Sequence, residues 1–380
     1  MSAKVLGIDL GNAKVKFVVL EPRGEGPEAI WGGGSIPYSP KLMPDRRADF
    51  DEGLPLALAR FLISHAFLPE DFDRVVVSTS HFFSYPSFEE AHRHTVELLE
   101  RLFPANEVLL LGAEGRLYTL AEARALSGPQ VVRFAATKFW GSAYLASKLI
   151  SNGLSIDTGT TSTDLIPILE GKPDPAAAQD PDRYNLDRLK TQRFIWYGMT
   201  ATPLDYLAHE AEAAGEVWPL YPRVAKTEVL TAILDLAPRD LAEAHAYGGA
   251  FPSVAAARFQ LAQACGLDCQ LIPEETLTAI ARDLYQRLVA RVAASVRKVA
   301  EHAGLGPLSE AEAAVMGLGR ESVARDALLQ AGFRAERLVD VEAVLGSELS
   351  SVSTAYGAAL KGLEDLLGET LELRGGVAAR

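Results

Sequence analysis

Between Asp157 and Asp164 the chain carries Thr158-Gly159-Thr160-Thr161-Ser162-Thr163, five hydroxyl residues and one glycine flanked by two carboxylates. A tight turn through Gly159 aims successive backbone N–H groups and the hydroxyls of Thr160, Thr161 and Ser162 at one point, as a phosphate oxygen requires. Asp157, at the end of an apolar strand, is suited to hold Mg²⁺ directly or through water, because Mg²⁺ takes oxygen ligands and keeps several waters. The same residues would also make a polar β-turn whose hydroxyls satisfy their own backbone. A second turn, Asp9-Leu10-Gly11-Asn12-Ala13-Lys14-Val15-Lys16, repeats the carboxylate and the glycine and adds two lysines. Lys14 and Lys16 alternate along one strand and share a face, where they would either set positive charge toward a polyphosphate or lie solvated. A third element, Val315-Met316-Gly317-Leu318-Gly319-Arg320-Glu321-Ser322, reads as a strand, two glycines and a helix start, where a flat or anionic ligand can approach the backbone. Strand-to-helix turns use glycine for geometry alone as well.

Other reactive side chains are more isolated. His81, after the apolar run Arg74 to Thr79, is an acid/base candidate or a satisfied loop histidine. His92 and His94 stand two apart in a helical pattern and diverge around its axis, so a shared metal is not expected. Cys265 and Cys269 have i,i+4 spacing and no nearby Cys/His pair to complete a zinc site, so they read as packing thiols. Trp140, Trp196, Tyr197 and Trp218 are aromatic candidates for a substrate wall but fit core packing better.

These residues need a framework to position them. The start reads as strand, turn, strand over Val5 to Leu20, followed by Pro- and Gly-rich loops from Pro22 to Pro44. Apolar periodicity predicts helices over Leu54 to Ala66, Ser87 to Phe103 with a Ser87/Glu90 capping box, and Val131 to Ile150. Strands are expected at Arg74 to Thr79 and Glu107 to Leu111. At Leu154 the opening pattern returns, Ile8-Asp9-Leu10-Gly11 being matched by Ile156-Asp157-Thr158-Gly159, which implies two related α/β halves. The expected division is residues 1–150 and 151–380, with a Pro-rich inserted subdomain over about 171–251. Helices over Ser253 to Ala264, Glu274 to Ala303, Ser322 to Ala331 and Ser351 to Leu367 complete the second half, with small residues recurring along the last.

Composition narrows the class. The 380 residues exceed one usual core, and 48% hydrophobic with 23% charged residues is the balance of a folded globular protein. A net charge of −13, from 37 basic and 50 acidic residues, gives no reason to seek nucleic acid or an anionic membrane. Two cysteines, the absence of an apolar run of 18 residues and the lack of signal-peptide blocks over Met1 to Asp9 fit a cytoplasmic protein.

Two phosphate-type turns, a glycine turn and a small-residue helix in this order resemble the actin, sugar-kinase and Hsp70 superfamily. Within it, Ile156 to Ile168 is similar to the hydantoinase/oxoprolinase group, and to its branch linked to tetrahydromethanopterin and methanofuran metabolism. Phe134 to Trp140, Tyr197 to Pro203 and Phe251 to Arg258 extend the likeness. The resemblance implies two related mixed-sheet domains flanking a phosphate-binding cleft, with Asp9 and Asp157 at the metal. It also implies methanofuran-type synthesis, in which an aminomethyl-furanmethanol diphosphate alkylates the phenol of a tyramine or tyrosine derivative and releases diphosphate. The phenol then needs a base, for which Asp164 and His81 are the candidates. The chain departs from the branch pattern at His81, Phe139 and Ala201. Two other readings stay open: an ATP-dependent kinase, ATPase or hydantoinase-like hydrolase with its nucleotide at Gly317, Gly319 and Arg320, and a non-catalytic nucleotide-binding assembly protein. A homo-oligomer is compatible with all three.

Overall fold

The computed structural model describes residues 3–11, 14–23, 26–35, 45–174, 184–222, 224–236 and 251–373. The chain opens as an antiparallel meander of β1 (Val5–Leu10), β2 (Lys14–Arg23) and β3 (Gly26–Ser35). It continues through α1 (Arg47–Ser64), β4 (Arg74–Thr79), α2 (Phe88–Leu102), β5 (Glu107–Leu111), β6 (Leu117–Thr119), α3 (Leu120–Arg124) and α4 (Lys138–Ala146). The six strands form one sheet in the order β3-β2-β1-β4-β5-β6. β1 runs parallel to β4 and β4 to β5, whereas β5 and β6 are antiparallel. Every residue of β1 and of β4 is buried, as central strands covered on both faces require.

Three expectations for this half need correction. Gly26–Ser35 is a strand, not loop: its glycines serve packing, since a Cβ on Gly32 would lie 2.5 Å from the Phe61 ring of α1. Residues 36–44 of the expected loop lie outside the described residues. The helix expected from Val131 to Ile150 breaks into a 3₁₀ stretch, Gly128–Phe134, and α4. The break is fixed where Thr137 donates its N–H to Thr79 O at 2.7 Å and its hydroxyl accepts from Thr79 N at 2.9 Å, tying the chain to the end of β4. The capping box is half formed, because Ser87 accepts from Glu90 N at 3.1 Å while the Glu90 carboxylate turns to Arg47 at 3.2 Å.

The second half begins with β7 (Gly153–Thr158) and β8 (Thr163–Leu169), then β9 (Lys172–Pro173), α5 (Tyr184–Lys190), β10 (Phe194–Ile195) and α6 (Leu204–Leu207). A small hairpin of β11 (Glu210–Ala213) and β12 (Glu216–Pro219) precedes α7 (Thr227–Ile233), α8 (Val254–Ala264) and the long α9 (Glu274–His302). The chain ends through β13 (Glu312–Met316), α10 (Arg325–Ala331), β14 (Leu338–Asp340), α11 (Val341–Leu345), α12 (Ser347–Ser351) and α13 (Ser353–Leu367). The second sheet has the order β10-β8-β7-β13-β14, with β9 beside β8. Its central pair repeats the opening hairpin: β7 lies between its hairpin partner and a later strand, as β1 does. The expected insertion at 171–251 consists, where described, of the short elements β9 to α7; residues 175–183 and 237–250 lie outside the described residues.

Two compact units emerge, one of Met1–Ser155, Ile166–Lys190 and Val339–Arg380, the other of Ile156–Leu165 and Thr191–Leu338. In the first, α13 lies so close to β1 that a Cβ on Gly7 would sit 2.5 Å from Ala355 O. In the second, Leu277, Ile280, Leu284, Leu288, Val292 and Val299 form the buried stripe of α9. α8 ends at Ala264, where the sequence places its end, with Cys265 as its C-cap and Cys269 in the turn that follows. Among the described residues no helix is long and apolar enough to cross a membrane.

Candidate phosphate-binding turns

In the first unit the strand registers carry the site. Asp9 is opposite Lys16 on β2 and Ser78 on β4, so the three form a row across the sheet, with side chains on one face. Asp9 is buried, at 5% exposure, yet both carboxylate oxygens have hydroxyl contacts. Thr354 Oγ1 of α13 donates to Oδ2 at 2.6 Å, and Ser78 Oγ approaches Oδ1 at the longer distance of 3.4 Å. The turn is closed by Gly11 N donating to Lys14 O at 3.1 Å. A Cβ on Gly11 would meet that same carbonyl at 2.6 Å, which explains the glycine. Lys14 and Lys16 are half-buried on β2, and Asn12 lies outside the described residues.

In the second unit the 159–162 turn is cross-braced by the segment after β10. Gly159 N donates to Ser162 O at 2.9 Å, Met199 N to Gly159 O at 2.9 Å, and Thr200 N and Ala201 N to Thr160 O at 3.1 and 2.9 Å. Thr163 Oγ1 donates to Tyr197 O at 2.6 Å. These bonds draw the turn's carbonyls onto the protein, while Thr160 and Thr161 are half-exposed and Ser162 is buried. The approach is close enough that a Cβ on Gly198 would lie 2.4 Å from the Thr161 carbonyl carbon.

The glycine turn sits on the same strand end. Gly317 has φ +83° and its missing Cβ would meet Asp157 Oδ1 at 2.4 Å; that of Gly319 would meet Thr158 Cγ2 at 2.6 Å. Gly319 N donates to Thr158 O at 3.0 Å. The chain then winds through a wide π turn, Arg320–Ala324, so α10 starts at Arg325 and not at the expected Ser322. Arg320 is half-buried there, 3.7 Å from Glu321. Gly198, Met199 and Thr354 carry no sequence signal of a site role: the first two lie in the Tyr197 to Pro203 stretch of family likeness, and Thr354 in a small-residue run that reads as packing.

The donors suit a hard cation. Asp9 is a carboxylate contacted by two hydroxyls, and Asp157 is a second carboxylate at the end of β7, oxygen donors of the kind a hard cation takes. Among the described residues no three or more His, Cys, Asp or Glu gather into a cage, so an ion at either carboxylate would keep most of its water, the habit of Mg²⁺.

Comparison with solved structures gives acetone carboxylase in its nucleotide-free form at a TM-score of 0.50, with 11% identity over 95% of this chain and 70% of that one. The fold is a two-domain, actin-like α/β fold. No family model matches the chain. A curated relative from Methanocaldococcus jannaschii, described as a (4-{4-[2-(gamma-L-glutamylamino)ethyl]phenoxymethyl}furan-2-yl)methanamine synthase, is 21% identical over 363 residues, 94% of this chain and 97% of the relative. A second relative of the same description, from Methanococcus vannielii, is 22% identical over 219 residues, 57% of this chain and 93% of the relative.

Within this actin-type fold the remaining candidates have other surroundings. Asp164 is buried on β8 opposite Phe194, one residue from Thr163 and therefore on the other face of the strand. His81 is 1% exposed, with Phe50 and Phe82 rings 4.8 and 5.2 Å away. Since Thr95 Oγ1 gives its proton to Ala91 O at 2.7 Å, His81 Nε2 donates to Thr95 at 2.9 Å. Burial pushes the His81 imidazole down to about 3. His92 bonds Ala123 O at 2.8 Å and stacks on Phe134, whereas His94 bonds Tyr85 OH at 2.7 Å, so the two diverge as their spacing predicts. Burial raises the Cys265 thiol to about 11, which makes it an inert packing group.

Proposed function

We propose that the chain is an enzyme of methanofuran-type cofactor synthesis, making a phenoxymethyl-furan ether by displacing diphosphate from an aminomethyl-furanmethanol diphosphate. The observation that carries this reading is the near full-length likeness to a synthase whose product name contains that ether. In the reaction the phenol O–H loses its proton, the phenolate oxygen bonds the furan CH₂, and the CH₂–O bond breaks with its electron pair leaving on diphosphate. The Thr160 and Thr161 side of the braced turn, with its N–H groups, would bind the leaving phosphates, and Lys14 and Lys16 would add positive charge. Asp157 in its unit and Asp9 in its own are the carboxylates that would serve Mg²⁺, and the ion would neutralise charge developing on the diphosphate. We assign the phenol's proton to Asp164, since His81 is enclosed by rings and donates its Nε2–H to Thr95.

An adenine nucleotide at the Gly317–Gly319 turn is the rival reading. The space left by the two missing side chains is already taken by Asp157 and Thr158, which supports a packing role for these glycines. The test uses a donor with ¹⁸O at the bridging oxygen between CH₂ and diphosphate. Carbon–oxygen cleavage carries the label into released diphosphate; label kept on the furan alcohol, or γ-phosphate transfer from ATP, would reject alkyl transfer.

A further inference from the structure

The C-terminal helix α13 reads in sequence as a packing helix, Ser353-Thr354-Ala355-Tyr356-Gly357-Ala358-Ala359, whose small residues let backbones approach. Its first turn does more than pack. Thr354 is 5% exposed and Asp9 likewise, and their hydrogen bond of 2.6 Å joins residues 345 positions apart. A threonine hydroxyl has one proton, and here it is given to a carboxylate oxygen, the stronger kind of hydrogen bond.

The helix that carries Thr354 is fixed at its other end as well. Arg74, at the start of β4, donates Nη1 to Gly362 O at 3.0 Å and to Asp365 at 2.8 Å, while its Nε reaches Glu107 on β5 at 2.7 Å. Lys148 meets Glu364 at 2.8 Å, and the Tyr144 hydroxyl bonds the same carboxylate. The axial position of α13 against β1 and β4 is therefore set about three turns away from Thr354. These ties oppose sliding of Thr354 along the sheet, and its hydrogen bond favours one orientation of the Asp9 carboxylate. Oδ2 takes the short bond from Thr354, while Oδ1 has, among the described residues, the longer 3.4 Å approach of Ser78, which makes Oδ1 the less satisfied oxygen and the one better placed to meet a bound cation or its water.

We infer that Thr354 is a positioning residue for Asp9: its hydroxyl holds the carboxylate in the rotamer that presents Oδ1 to a hydrated divalent cation. This rests on the assignment of Asp9 to Mg²⁺–diphosphate binding. The isosteric Thr354→Val removes the hydroxyl and keeps the shape, and Thr354→Ser keeps the hydroxyl and loses a methyl.

The test is titration calorimetry of Mg²⁺–diphosphate into the intact chain, without turnover. Thr354→Val should weaken binding by about tenfold or more and Thr354→Ser by less than about threefold, with the Mg²⁺ concentration for half-saturation rising in the former. In a double-mutant cycle, Thr354→Val should cost little further once Asp9→Asn has removed the charge. Equal binding by wild type and Thr354→Val, or equal loss in the Val and Ser variants, overturns the inference while leaving the role of Asp9 intact. Equal binding by wild type and Asp9→Asn, or none by wild type, overturns the underlying assignment instead. If Thr354→Val does not fold, Thr354→Ala against Thr354→Ser reads the same contrast.

Discussion

A buried histidine that stays neutral costs stability in acid, and His81 is such a residue. Its environment is a cage of Phe50, Phe82 and Tyr85, and burial depresses its imidazole from the usual 6.5 to about 3. The unfolded chain binds a proton there below about 6.5 that the folded chain refuses until about 3, so the stabilisation is complete above 6.5 and lost as the pH falls through that window. His92, depressed in the same direction chiefly by burial, adds to the slope. Urea unfolding at pH 7, 6 and 5 should show stability falling with acid, and His81→Gln should reduce that dependence by about one proton. An unchanged slope in His81→Gln would mean that another group controls acid unfolding. The result also bears on function, because a histidine held this way is a poor proton acceptor from a phenol.

Among the elements, the pair α4 and α13 is the most demanding. The two helices touch through glycines: a Cβ on Gly357 would lie 1.9 Å from Gly141 O, and one on Gly141 would lie 2.2 Å from Thr354 O. In an unobstructed helix Gly→Ala is stabilising by up to ~1 kcal/mol. Here the obstacle is backbone, which cannot rotate away, so Gly357→Ala should cost ~1–3 kcal/mol or more by forcing the helices apart. Gly306→Ala, where nothing lies within 4 Å, is the control and should change the denaturation midpoint little. Separation of α4 and α13 would also shift Thr354 away from Asp9, so Gly357→Ala is expected to weaken Mg²⁺–diphosphate binding as well as stability. A variant as stable as the parent would contradict the helix contact itself.

For the molecule as a whole, a net charge of −13 opposes any anion that arrives without a counterion. Diphosphate alone should bind poorly, and Mg²⁺–diphosphate should bind and stabilise, since a ligand taken only by the native state adds about 2.7 kcal/mol at one hundred times its Kd. Thermal unfolding with diphosphate, with and without a chelator, measures this directly. The rise in midpoint should require Mg²⁺ and should exceed that with adenine nucleotides; equal protection in chelator would remove the metal from the proposal. The same charge leads us to expect no retention of duplex DNA or anionic vesicles even at low salt.

Much of the framework was legible because its signals are local. The apolar runs of β1, β4 and β7, the Ser87 cap and the repeated Asp-x-Gly turns need only neighbouring residues to be read. β3 was not legible, because a glycine in a strand looks like a loop until the Phe61 ring that needs the space is in place. Nor was the break before α4, which depends on a tie between Thr137 and Thr79 far apart in the chain. The turn residues Asp9, Gly11, Asp157 and Gly159 could be chosen by type and spacing, since a phosphate turn is a short stretch of backbone. What holds those turns could not: Thr354 reaches Asp9, Met199 reaches Gly159 and Gly317 meets Asp157 only after distant segments have packed. Residue type and spacing thus determined which groups could do chemistry, and the folded chain alone decided how they are gripped, because hydrogen bonds and close backbone contacts act in space and not along the sequence.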